Sequence, residues 1–113
     1  MKEYFVDLTD GTRLEVKVNF GTIYYLQKQK KFNIISKKAR RSPKKMTDQD
    51  CMELAANMIY AILRSNGKAV TFDEALALMP PDENCIREVV EGFQAEYDEY
   101  IKKKRAKTMT MPG

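Results

Sequence analysis

The chain has 113 residues, 43% of them hydrophobic and 32% charged, with a formal net charge of +4 and no histidine. That length suits one domain able to bury a core without covalent staples, and is too short for two ordinary domains. The missing histidine removes the commonest general base and the commonest transition-metal ligand, and no apolar run approaches the roughly 20 residues that span a bilayer.

From about residue 3 to 19 the pattern predicts a β-hairpin. Tyr4, Val6 and Leu8 alternate with Phe5 and Asp7, and Leu14, Val16 and Val18 alternate with Arg13, Glu15 and Lys17. Period two gives each strand one apolar face. Asp10-Gly11 between them is a strong hairpin-turn signal. Two strands alone are barely stable in water, so that face is expected to lie against helices.

A short helix is predicted over about 22–31, with Ile23, Tyr24, Leu26 and Phe32 as its buried side. Tyr24 and Tyr25 beside lysines could stack on nucleic-acid bases; an adjacent pair with one ring in the core and the other half exposed is the plainer reading. Residues 33–46 are expected to form a mobile basic loop. Six of the nine residues from Lys37 to Lys45 are basic, Pro43 forbids a continuing helix, and nothing larger than Ala39 is apolar there. Lys37, Lys38, Arg40, Arg41, Lys44 and Lys45 are the candidate partner-binding residues of this loop. They form either an electrostatic footprint for phosphates or an acidic protein face, or a solvated linker, and the pattern leaves both open.

The central helix is predicted over about 48–65. Apolar residues cover far more than one stripe between Cys51 and Leu63, so it should be surrounded on most sides, with Leu54, Met58, Ile59 and Ile62 almost fully buried. Thr47 is a good N-cap, and Asp48 and Asp50 suit the dipole of the first turn. Thr71-Phe-Asp-Glu74 is a capping box opening a helix over about 72–79, which Pro80-Pro81 ends.

The last helix is predicted over about 83–105. Ile86, Val89, Val90, Phe93, Tyr97, Tyr100 and Ile101 recur at steps of three and four. Gly92 lowers the helical propensity and is expected to allow close helix approach. At about 1.5 Å per residue the helix outruns the body of a small domain. Its distal stripe of Phe93, Tyr97, Tyr100 and Ile101 is therefore the candidate self-association surface.

Charge falls in blocks. Nine basic residues and no acidic one lie between Lys28 and Lys45, and twelve acidic against three basic ones between Met46 and Ile101; Lys102, Lys103, Lys104, Arg105 and Lys107 follow. Such blocks favour contacts between copies or with a charged partner, and a homo-oligomer is expected. Cys51 and Cys85 sit in helical patterns and not in a Cys-x-x-Cys pair, which predicts reduced, buried thiols. The polar opening Met1-Lys-Glu-Tyr-Phe-Val-Asp is unlike a secretory signal, so a cytoplasmic chain is expected.

The sequence holds no Gly-rich phosphate loop, no Cys/His metal set and no nucleophile beside a base. Adjacent acids such as Asp73/Glu74 and Asp98/Glu99 point about 100° apart on a helix and do not converge. Neither cofactor nor metal is expected, nor an enzyme.

In order of parts, the chain resembles the small tail assembly chaperones of long-tailed phages and prophages. The resemblance runs through Tyr4-Phe-Val-Asp-Leu with Asp10-Gly11, then Asn19-Phe-Gly-Thr-Ile-Tyr-Tyr-Leu26 and Met58-Ile-Tyr-Ala-Ile-Leu63. It continues in Val70-Thr-Phe-Asp-Glu-Ala-Leu76 and Ile86 to Tyr97. It implies a protein that binds the tape-measure protein and helps bring tail-tube subunits to it. Many members also make a longer product by translational frameshift, and this chain would match the short one. The expected fold is α+β, mainly α: an N-terminal β-hairpin packed on a small helical domain with a long C-terminal helix. The competing expectation is a small nucleic-acid-binding protein using the basic 37–45 stretch. For the assembly reading, only weak, sequence-blind binding to nucleic acid is expected, and no membrane contact.

Overall fold

The computed structural model describes residues 3–80 and 82–110, with side chains described as far as Lys104. A two-stranded antiparallel hairpin, β1 (Phe5–Asp7) and β2 (Arg13–Glu15), precedes five helices: α1 (Phe20–Gln27), α2 (Lys30–Arg41), α3 (Asp48–Ser65), α4 (Phe72–Leu78) and α5 (Glu83–Thr110). A 3₁₀ turn over Pro43–Lys45 joins α2 to α3. The mainly helical α+β architecture is the one expected.

The hairpin register pairs Val6 with Leu14, flanked by Phe5 with Glu15 and Asp7 with Arg13. The Val16 amide bonds the Tyr4 carbonyl at 2.8 Å and the Leu8 amide that of Thr12 at 2.8 Å, so pairing runs past both strand ends. Gly11, with φ of 88°, takes the left-handed turn position. Val6, Leu8, Leu14 and Val16 are buried, so the period-two face does meet the helices. At its tip the Thr9 amide and hydroxyl donate to the carbonyls of Leu78 (3.0 Å) and Ala77 (2.8 Å), occupying the orphan acceptors at the end of α4.

α3 is the axis of the fold. Thr47 and Asp50 form a reciprocal capping box at its start. Leu54, Met58, Ile59 and Ile62 are all buried, the last two completely. α1, α2, α4 and α5 each pack against it. Thr71 and Glu74 form the expected box on α4. The start of α5 is capped by Asp82, whose carboxylate accepts from the Asn84 amide at 3.0 Å. Pro81 lies outside the described residues. Gly92 does permit a close approach, but of the hairpin and not of a helix. A Cβ there would stand 2.8–2.9 Å from the Tyr4 ring and Cβ, so Tyr4 seats on α5 only because residue 92 has no side chain.

Besides α5, which runs to Thr110 and not to about 105, two boundaries differ from expectation. α1 begins earlier, at Phe20, because Asn19 caps it in a box with Thr22. It ends at Gln27, whose carbonyl accepts from the Asn33 side chain at 3.3 Å. The second difference is larger. Residues 33–46 are not a mobile loop: Lys30–Arg41 is a helix. Phe32, Ile35 and Ala39 fall at spacings of three and four along one face, with Ile35 buried and the other two half-buried. Lysine, arginine and alanine are good helix formers, and Lys38, Arg40 and Arg41 sit in the last turn, where the dipole favours cations. Phe32 and Ile35 precede the densest basic run, and Ala39 is the one anchor within residues 37–45, too small a signal when those are read alone.

A candidate partner-binding groove between α2 and α5

Among the described residues α2 and α5 both pack on α3 and not on each other. The space left between them is a groove of about 420 Å³. Leu54 and Met58 of α3, Leu26 of α1 and Phe93 of α5 form its floor. Phe32, Ser36, Ala39 and Arg40 supply the α2 wall; Val90, Gln94 and Tyr97 supply the α5 wall. The walls follow from helical spacing, since 32, 36 and 39 share one face of α2 as 90, 93/94 and 97 share one face of α5. The lining is mostly apolar, with a few amide and hydroxyl groups and one formal charge, that of Arg40. Such a lining suits an apolar surface oriented by a few polar groups.

The six basic candidates of the 37–45 stretch separate in space. Lys38 ion-pairs with Asp50 at 2.7 Å and so ties α2 to the first turn of α3. The Lys38 ammonium, then the Thr47 amide, hold the Asp50 carboxyl below its ordinary range. Lys38 therefore serves the fold. Lys37, Arg40, Arg41, Lys44 and Lys45 are exposed, and of these Arg40 reaches the groove. Ile34, 67% exposed, stands on the same helix with Lys30, Lys31, Lys37 and Lys38 three or four positions away.

The self-association stripe separates as well. Phe93 is 2% exposed within its own chain and is removed from that surface. It lies level with Leu54 and Met58 and closes the groove floor, a part of α5 that the body of the domain does cover. Tyr97, Tyr100 and Ile101 are half-buried, and Tyr97 belongs to the groove wall.

Tyr24 and Tyr25 meet edge to face with centroids 5.3 Å apart. The row continues to Tyr60 (6.5 Å) and Phe72 (6.2 Å), joining α1, α3 and α4. Lys28 stands 4.5 Å over the Tyr24 ring, and the Arg64 guanidinium 5.1 Å over Tyr25. These cation–π contacts already occupy ring faces that base stacking would use. Tyr25 is half-buried and Tyr24 is 45% exposed, so Tyr24 does not belong to the buried side of α1 as expected, and neither ring is fully in the core.

Both cysteines are free and half-buried, less covered than expected. Burial, then the neighbouring Asp82 carboxylate, push the Cys85 thiol up, away from the thiolate that a nucleophile needs. Among the described residues no set of three or more carboxylate or thiol groups is placed to hold a metal. No helix among them is long and apolar enough to cross a membrane.

Sequence reasoning missed the groove because four helices build it. Its one readable trace was the 32/35/39 stripe on α2. Comparisons with family models, with characterised proteins and with solved structures found no match.

Proposed function

We propose that this protein is a tail assembly chaperone of a long-tailed phage or prophage, acting by binding and without catalysis. Its partners are the tape-measure protein and, through it, the tail-tube subunits. The observation that supports this reading is the mostly apolar groove between α2 and α5, bordered by the exposed basic face of α2. A groove of this kind accepts the apolar face of another protein segment. The resemblance in order of parts, from the hairpin segment through residues 58–63 to 86–97, also supports it. A homo-oligomer is part of the proposal, with Tyr100 and Ile101, which do not line the groove, at or near the contact. The test is co-expression with the tape-measure and tail-tube proteins of the same locus. A stable complex that carries the tape-measure protein through size-exclusion chromatography supports the reading; a tape-measure protein that behaves identically with and without this chain contradicts it.

A second reading gains from one observation: the basic stretch is a helix, joined to α1 by only Lys28 and Gln29. Twelve residues make about 18 Å of helix with Lys30, Lys31, Lys37 and Arg41 exposed, dimensions that fit a nucleic-acid major groove. Salt titration separates the two readings. A non-specific phosphate footprint weakens steeply between low and physiological salt, whereas a dedicated binder holds a specific site at about 10⁻⁸ M or tighter.

A further inference from the structure

The chemistry of the groove names more than an apolar partner. Of all the side chains lining it, only Arg40 is charged. Arg40 is exposed and has no ion-pair partner among the described residues, in contrast to Lys38, two residues earlier, which Asp50 neutralises. Across the groove the α5 wall is uncharged: Val90, Phe93, Gln94 and Tyr97 line it, and the Gln94 amide donates at 3.0 Å to Asp98, which lies outside the lining. The groove therefore presents one positive charge, on the α2 wall, beside a neutral α5 wall and over an apolar floor.

Length limits the occupant further. The α2 wall runs from residue 32 to 40 and the α5 wall from 90 to 97, about 12 Å and 10 Å at helical rise. That is close to two turns of a helix laid between them. About 420 Å³ holds a few large side chains and not a bulky ligand. Met58 in the floor is unbranched and adapts to differently shaped anchors.

We infer that the groove receives one amphipathic helix of a partner protein, with apolar anchors at i, i+3 or i+4, and i+7. An aspartate or glutamate on the flank facing α2 pairs with Arg40. This rests on the reading of the groove as the partner site. Charge complementarity selects this occupant over a second copy's α2. The exposed apolar residue of that helix, Ile34, is surrounded by lysines of the same sign as Arg40. It also selects against nucleic acid, whose phosphates would face an apolar floor.

Two labelled helical peptides with one leucine stripe test it, one with glutamates along a flank and the other with lysines at those positions. Binding to the full chain is followed by fluorescence anisotropy at low and physiological salt. The glutamate peptide is expected to bind about fivefold tighter at low salt, the scale of an exposed ion pair plus the matching repulsion. Arg40→Glu reverses the order. Ser36→Phe, which fills the groove from a helix position whose hydroxyl bonds only the Asn33 carbonyl, removes binding of both peptides. Circular dichroism confirms that both variants keep the fold. Failure of the glutamate peptide to bind, equal affinities, or indifference to Ser36→Phe overturns the inference. So does displacement of the peptide by a DNA duplex, or a self-association that Ser36→Phe abolishes, because another occupant then holds the groove. Tail proteins that co-purify undiminished with Ser36→Phe would leave the chaperone reading standing while the groove inference falls. Peptide preference without any tail complex would do the reverse.

Discussion

α2 and α3 are neighbours in sequence and in space, and they are helices for different reasons. α3 is apolar on most of its circumference, boxed at its start by Thr47 and Asp50, and buried over nine residues between Leu54 and Leu63. α2 has one buried residue, Ile35, and its N-cap, Gln29, makes no side-chain cap bond. Packing from all sides makes α3 the fixed axis. α2 is held along one stripe and by the Lys38–Asp50 pair, so its remaining surface stays available for a partner. Stability thus rests chiefly on α3, and the proposed binding on its neighbour α2.

Core truncations break the comparison most forcefully. Ile62→Ala, at a completely buried site, is expected to cost about 2–5 kcal/mol in chemical denaturation. Ile35→Ala is expected at the low end, about 2 kcal/mol, because α2 can shift outward and close part of the void. Equal losses at the two sites would mean that α2 is as firmly packed as α3. Gly92→Ala tests the closed side of α3, where Tyr4 presses on α5. Overpacking of about 1–3 kcal/mol should outweigh the roughly 1 kcal/mol gained in helix propensity. Adding Tyr4→Ala should then let the alanine act as a plain helix stabiliser.

The same contrast explains what the sequence made legible. The hairpin, α3, α4 and the start of α5 each carry an apolar period together with a turn or cap signal, and the two agree. In α2 they disagree. Phe32, Ile35 and Ala39 are too few to outweigh eight cations between Lys30 and Lys45, and no cap marks the start. Only α3, lying underneath, turns that sparse stripe into a helix. The groove was less legible still, because Leu26, Phe32, Met58 and Phe93 are far apart in the chain and each reads singly as core. Phe93 shows the cost of judging a stripe by its continuity: it ends in the floor of the groove and not on an exposed surface.

Smaller effects sharpen the comparison at the helix ends. Thr47→Ala should cost about 1 kcal/mol by removing the cap of α3. Gln29→Asp should stabilise α2 by about 0.5–1 kcal/mol, since it supplies the missing cap and an anion at the dipole's positive end. Helix content and thermal midpoint check both; a neutral Gln29→Asp would mean that α2 does not start there. Acid should loosen α2 before α3. Asp50 is held below its ordinary value, so its contribution is fully present above the unfolded value of about 3.9. The contribution is lost as pH falls through the lower folded value. Amide resonances of 30–41 should therefore broaden first on acidification, and Asp50→Asn should abolish that early step.

Hydrogen exchange, read residue by residue with and without the glutamate-flanked peptide, tests the central claim most directly: that Lys30–Arg41 is a helix forming one wall of a partner groove. In the free protein, amides of 54–63 should be protected up to global unfolding, and those of 34–41 measurably but less. Peptide should raise protection in α2 and around 90–97 and leave α4 unchanged. Exchange of 34–41 at the rate of unstructured chain, or peptide protection confined to the hairpin and α4, would contradict the account.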